Sequence, residues 1–189
     1  MSSNSMFNND KGRLMRPFAL SKKWMILAIG SMTLMACDSP PPEPPICRIS
    51  DAHLDDTIGN AGCFIRINNK LLTTGNRKTG KLDTPGGTAN EGEIAQCTAH
   101  RETFEETGFN VEVGQLLGVA DNGYRIYQCI VNDEFDEDID KFPVPGWANS
   151  EIDYIKLTDP FDTLASEWRY PKRHLENLAM FDKTDTSNE

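Results

Sequence analysis

Apolar residues cluster in short blocks along the middle of the chain, and two stretches change that rhythm to a helical one. Ala61–Ile67 (Ala-Gly-Cys-Phe-Ile-Arg-Ile) is nearly all apolar and predicts a strand. Asn68-Asn69-Lys70 predicts a turn, and residues 71–74 a second strand. Residues 111–120 and 125–131 predict two more strands, joined by Asp121-Asn122-Gly123, and residues 151–157 a last one. Residues 92–107 predict a helix of about four turns. Gly108 stops it, because glycine takes the left-handed conformation that ends helices. The spacing places Ile94, Cys97 and Phe104 on the core side of this helix, with Arg101 near them. Pro143-Val144-Pro145-Gly146 interrupts the chain, and residues 172–181 predict a closing helix with Trp168 packed nearby.

The other face of the first helix carries chemistry. Glu102, Glu105 and Glu106 stand at i, i+3 and i+4, so three carboxylates share one face. Their mutual repulsion is costly unless a positive group sits among them, and Arg101 alone cannot neutralise three. A hard divalent cation with oxygen ligands can; Mg²⁺ beside substrate phosphates is the usual arrangement. Just upstream, Gly86 and Gly87 leave room for close backbone approach. His100 falls on the side away from the carboxylates and is expected to be a packing or surface residue.

Taken together these residues resemble the Nudix box, G-x5-E-x7-R-E-U-x-E-E-x-G-U, where U is a bulky aliphatic residue. Gly87, Glu93, Arg101, Glu102, Glu105, Glu106, Gly108 and Phe109 match, and Thr103 departs at the first U. The resemblance implies an α/β/α sandwich with a mixed β-sheet over residues 58–181. It implies Glu102, Glu105, Glu106 and the Gly86 carbonyl as metal ligands, for Mg²⁺ or alternatively Mn²⁺. Glu93 would hold Arg101, with Gly87 and Gly108 structural. Glu102 or Glu105, with Arg101, would carry the catalysis. A further carboxylate from a later loop would join the metal, with Asp133, Glu134, Asp136, Glu137, Asp138, Asp140 and Glu151 as candidates; a solvated acidic loop is the simpler account of residues 132–140.

The chain has 189 residues, 38% of them hydrophobic, and a formal net charge of −10, enough for one domain with tails. Lys11, Arg13, Arg16, Lys22 and Lys23 against Asp10 put residues 1–36 at +4 and the remainder at −14. That balance excludes nucleic acid as an expected partner. Arg169, Lys172, Arg173 and His174 form a basic cluster beyond the N-terminus; they suit a solvated helix end better than a phosphate grip.

The N-terminus carries an address. A basic Lys22-Lys23 pair precedes an apolar run from Trp24 to Ala36, short for a bilayer span and right for a signal peptide. Leu34-Met35-Ala36-Cys37 resembles a bacterial lipobox, which implies lipidation of Cys37, a chain starting there, and a periplasmic position at the inner membrane. Residues 37–57 then serve as a lipid-anchored, proline-rich linker, and residues 182–189 as a disordered tail. Cys47, Cys63, Cys97 and Cys129 suggest two disulfides, with Cys97 expected to bond to Cys63 or Cys129 and staple helix to sheet.

The function expected is Mg²⁺-dependent hydrolysis of a diphosphate linkage in a nucleoside diphosphate joined to another group. A catalytically inactive, membrane-tethered nucleotide-binding module is the alternative.

Overall fold

The computed structural model describes residues 40–184. Eight strands form one mixed sheet: β1 Ala61–Ile67, β2 Lys70–Asn76, β3 Leu82–Asp83, β4 Gly86–Gly87, β5 Glu112–Val119, β6 Arg125–Ile130, β7 Lys141–Phe142 and β8 Ile152–Thr158. The main order is β5-β6-β1-β2-β8-β7, with β3 paired to β2 and β4 to β1. Among the described strands only β1 and β6 run parallel; the other pairs are antiparallel. The two principal helices are α1, Ala95–Thr107, and α2, His174–Lys183.

β1 explains the architecture. It lies between β6 and β2 and is buried on both faces, so its sequence is apolar throughout rather than alternating. Cys63 and Ile65 face the layer containing Ala95 and Ala99 of α1. Phe64 faces the other layer, with Leu71, Leu82, Trp168, Met180 and Phe181. Helices therefore cover both sides of the sheet, and the α/β/α sandwich stands. Asn68 and Asn69 both take positive φ, 47° and 58°, which suits the tight turn joining β1 to β2.

The sheet-facing stripe of α1 is small and polar: Ala95, Gln96, Ala99, His100, Thr103 and Thr107 are buried. This corrects the expected face of Ile94, Cys97 and Phe104. Ile94 is the residue before the helix, and Cys97 lies two residues, about 200°, around from Ala95. Small side chains let the helix lie close to the strands. Gln96 donates to the His53 carbonyl at 2.9 Å and accepts from Asp55 N–H at 2.8 Å, so its burial is satisfied. His100 Nε2 bonds Asn110 Oδ1 at 3.0 Å, and burial pushes its pKa below the usual histidine value.

The disulfides are Cys47–Cys97 and Cys63–Cys129. The expected partner for Cys97 is therefore corrected. Its side chain points away from the sheet, where the N-terminal segment passes, while Cys63 and Cys129 meet across neighbouring strands β1 and β6. Residues 47–57, assigned above to a linker, instead pack on the domain: Ile49 bridges to Val113, and Asp51–His53 forms a short 3₁₀ turn. The closing helix continues past residue 181 to Lys183, with Thr184 buried behind it, so the expected tail starts later than residue 182. The signal segment, Cys37 and residues 185–189 lie outside the described residues. Among the described residues no helix is long and apolar enough to cross a membrane.

Candidate active site

A parting of the sheet positions the site. β1 and β2 pair only at their hairpin end, Arg66↔Leu71 and Ile67↔Lys70. Beyond that they diverge, and β4 enters against β1 through Ala61↔Gly87 and Gly62↔Gly86. Cys63 N–H donates to the Pro85 carbonyl at 2.9 Å and fixes the turn. A Cβ on Gly86, where φ is 153°, would lie 2.4 Å from Gly62 Cα and 2.7 Å from the Ala61 carbonyl oxygen. A Cβ on Gly87 would lie 2.4 Å from the Glu102 carboxyl carbon. The loop must be bare for the first helix's carboxylates to reach its backbone.

Arg101 organises the helix face. Its Nε and Nη2 donate to both oxygens of Glu93, each at 2.9 Å. Its Nη1 donates to Glu102 at 2.8 Å and Glu105 at 3.0 Å, and Nη2 also reaches the Thr88 carbonyl at 2.8 Å. The Glu93 hydrogen bonds lead in raising the Arg101 pKa. Burial alone would raise the Glu93 pKa, but hydrogen bonds from Arg101, Asn90 N–H and Thr98 outweigh it and hold Glu93 below the usual range. Glu93 thus holds Arg101 through two hydrogen bonds.

Glu102 and Glu106 respond differently. Burial raises the Glu102 pKa despite Arg101, and the charges of Glu105 and Glu151 act the same way. Glu106 accepts the Gly86 N–H at 3.1 Å, yet burial pushes its carboxyl well above the usual range, assisted by Asp83, Glu102 and Glu151. Glu102, Glu105, Glu106 and Glu151 line one cleft of about 160 Å³, with Trp147 and Pro41. Trp147 Nε1 donates to the Glu105 carbonyl at 3.0 Å, and its ring stacks on Phe104 at 6.1 Å. Phe104 therefore serves the helix's outer flank.

Of the later carboxylates offered by the sequence, Glu151 lines this cleft. None of Asp133, Glu134, Asp136, Glu137, Asp138 and Asp140 lines the cleft. Their loop is held elsewhere: Phe135 packs edge-on against Phe109 and Phe142, and the Asp136 carbonyl accepts from Asn68. Gly108, at φ 79°, caps α1, its N–H donating to the Phe104 carbonyl at 2.8 Å. Pattern reading did not single out Trp147, Pro41, Asp83 or Tyr124. Asp83, three residues before Gly86, was detectable as a carboxylate next to the Pro85 turn; the others carry no local signal.

A second cavity, of about 560 Å³, opens on the other side of the glycine loop. Gly86, Gly87 and Thr88 line it together with Asp83, Tyr124 and the Arg169–Arg173 segment. Arg169 pairs with Asp83 at 3.3 Å, although burial still raises the Asp83 pKa. A further cavity of about 500 Å³, lined in part by His53, Arg66 and Gln128, contains none of the box carboxylates.

The donor set suits a hard cation. Four carboxylates surround one cleft, two of them with desolvated charge that Arg101 does not offset. Among the described residues no three acidic, histidine or cysteine side chains are grouped so that they could hold a metal ion by themselves. Mg²⁺ does not require such a group, since it keeps waters and takes one or two carboxylates plus substrate phosphates.

Known proteins share this fold. The NUDIX domain model matches residues 57–174. A MutT-like protein of Streptomyces ambofaciens is 26% identical over 119 residues, covering 56% of this chain and 77% of its own. An ADP-ribose pyrophosphatase from Streptococcus suis superposes with a TM-score of 0.54 at 18% identity, over 70% of this chain and 96% of that one. A UDP-X diphosphatase gives a TM-score of 0.51 at 16% identity, over 70% and 66%.

Proposed function

The chain belongs to the Nudix family, and on that premise we propose that it hydrolyses the diphosphate linkage of a nucleoside diphosphate joined to another group. The observation that carries this reading is the gathering of Glu102, Glu105, Glu106 and Glu151 around one cleft beside a bare glycine loop. Glu102, Glu105 and Glu106, with the Gly86 carbonyl, would hold Mg²⁺ or Mn²⁺, which supplies charge neutralisation at the phosphates and a more acidic water. Glu102 or Glu105, both facing the cleft, takes the proton from the attacking water. The water oxygen bonds to phosphorus, the bridging P–O bond breaks, and the leaving phosphate carries the displaced charge. Arg101 holds Glu102 and Glu105 in place, and Glu93 holds Arg101.

The inactive binding module is the weaker reading, because the carboxylate set and its arginine clamp are intact. Incubating the chain with Mg²⁺ and a panel of nucleoside diphosphate sugars, dinucleoside polyphosphates and nucleoside triphosphates separates the two. Release of nucleotide supports hydrolysis; binding without any release across the panel overturns it. Lipid anchoring through Cys37 on the periplasmic side of the inner membrane belongs to the same proposal, supported by the Leu34–Cys37 sequence.

A further inference from the structure

We propose that the cavity beyond the glycine loop receives a second anionic group of the substrate, a phosphate monoester outside the scissile diphosphate, and that Arg173 binds it. This rests on the hydrolase reading for the placement of the diphosphate. Gly86 and Gly87 form a shared wall: their other side meets Glu106 and Glu102. A molecule whose diphosphate lies against that loop extends its attached group into the cavity.

Two guanidinium groups reach this space, and they differ. Arg169 is already paired with Asp83 and stands over the Tyr170 ring at 5.3 Å. Arg173 stands over the rings of Tyr124 and Tyr170, at 5.2 and 5.8 Å, which fix its plane. Among the described residues no carboxylate pairs with it, and its Nε is buried without a hydrogen-bond partner. A desolvated guanidinium N–H left without an acceptor is costly and uncommon. The guanidinium lines the cavity, and an oxyanion entering there, as a phosphate would, can accept from it. Lys172 adds a positive charge on the same wall. Three carboxylates also line the cavity: Asp83 is half-buried and its charge is met by Arg169, while Asp121 and Glu176 are exposed, so water screens their repulsion.

The test uses the full chain with Mg²⁺ and substrate pairs that differ by one phosphate: reduced nicotinamide dinucleotide with and without its 2′-phosphate, and coenzyme A against its dephospho form. At low salt kcat/KM should favour the phosphorylated member by about tenfold, through KM, and the ratio should shrink as salt is raised. Arg173→Gln should bring the ratio to about one, and Arg173→Lys should restore part of it. No discrimination by the parent chain, or a ratio that survives Arg173→Gln, overturns the proposal and leaves Arg173 as packing for the two tyrosines. Calorimetry with adenosine 2′,5′-bisphosphate against adenosine 5′-monophosphate separates this outcome from failure of the hydrolase reading. Tighter binding of the bisphosphate that Arg173→Gln removes sustains the site even if nothing is hydrolysed; equal binding of the two refutes it.

Discussion

Glu106 holds a carboxyl group that burial discourages from ionising, one hydrogen bond from the glycine loop. Glu106→Gln should lower turnover by roughly 10²- to 10⁴-fold, while melting temperature measured in chelator holds or rises. The pH dependence has a definite sign. The folded carboxyl keeps its proton to higher pH than the unfolded one, so the native state binds the extra proton. Stability in chelator should therefore fall as pH rises from the ordinary carboxylate range toward the folded value. Melts at pH 5 and 7.5 should show a smaller loss in Glu106→Gln than in the parent; an equal loss in both removes Glu106 as the cause. The glycines offer a contrast at the same scale. Gly86→Ala meets backbone at Gly62 and Ala61 and should destabilise by about 1–3 kcal/mol, seen in denaturant melts. Gly87→Ala meets only the end of the Glu102 side chain, so it should keep most stability and lose activity instead. The box carboxylates and Arg101 were legible because their spacing on a helix is fixed. Glu151 was one acidic candidate among seven, since a contact across the chain leaves no local spacing to read.

At the scale of elements, β1 coincided with its apolar run, and the principal strands fell where the pattern put them. The face of α1 did not. Its buried stripe is Ala, Gln, Ala, His, Thr and Thr, residues that carry little hydrophobic signal, while Phe104 found a partner in Trp147 outside the sheet. The same error of face led to the wrong partner for Cys97. Cys63 and Cys129 are at 0% and 3% exposure, whereas Cys47 and Cys97 are half-buried, so the two bonds should open in order. Graded dithiothreitol with alkylation and peptide mapping should label Cys47 and Cys97 first. Labelling of Cys63 and Cys129 at the lower concentration contradicts this. Opening the first bond releases a 50-residue separation in sequence, and on the loop-entropy argument should cost about 3–4 kcal/mol of stability.

The whole molecule is acidic; five of its 19 Lys and Arg residues lie in the N-terminal address, apart from the Arg169, Lys172 and Arg173 that wall the second cavity. That separation was visible in the sequence, but the use of the second stretch was not. Only the divergence of β1 from β2 brings Gly86 between the carboxylate cleft and Arg173, and such a divergence follows from pairing across the sheet rather than from any local pattern. The address has its own test. Cys37→Ser in the native host should abolish lipid labelling and leave the protein unprocessed or soluble. Behaviour like the parent makes the segment an ordinary signal or anchor.

The bond from Cys47 to Cys97 also bears on how the domain can be shortened. The NUDIX match begins at residue 57, which invites a preparation that starts there. Such a chain keeps Cys63, Cys97 and Cys129, an odd number, with the lone thiol on the outer side of the helix that bears the site's glutamates. Two copies would then join through Cys97 on exposure to air, as a non-reducing gel would reveal. A shortened chain beginning between Cys37 and Cys47 keeps four paired cysteines and should not form that link.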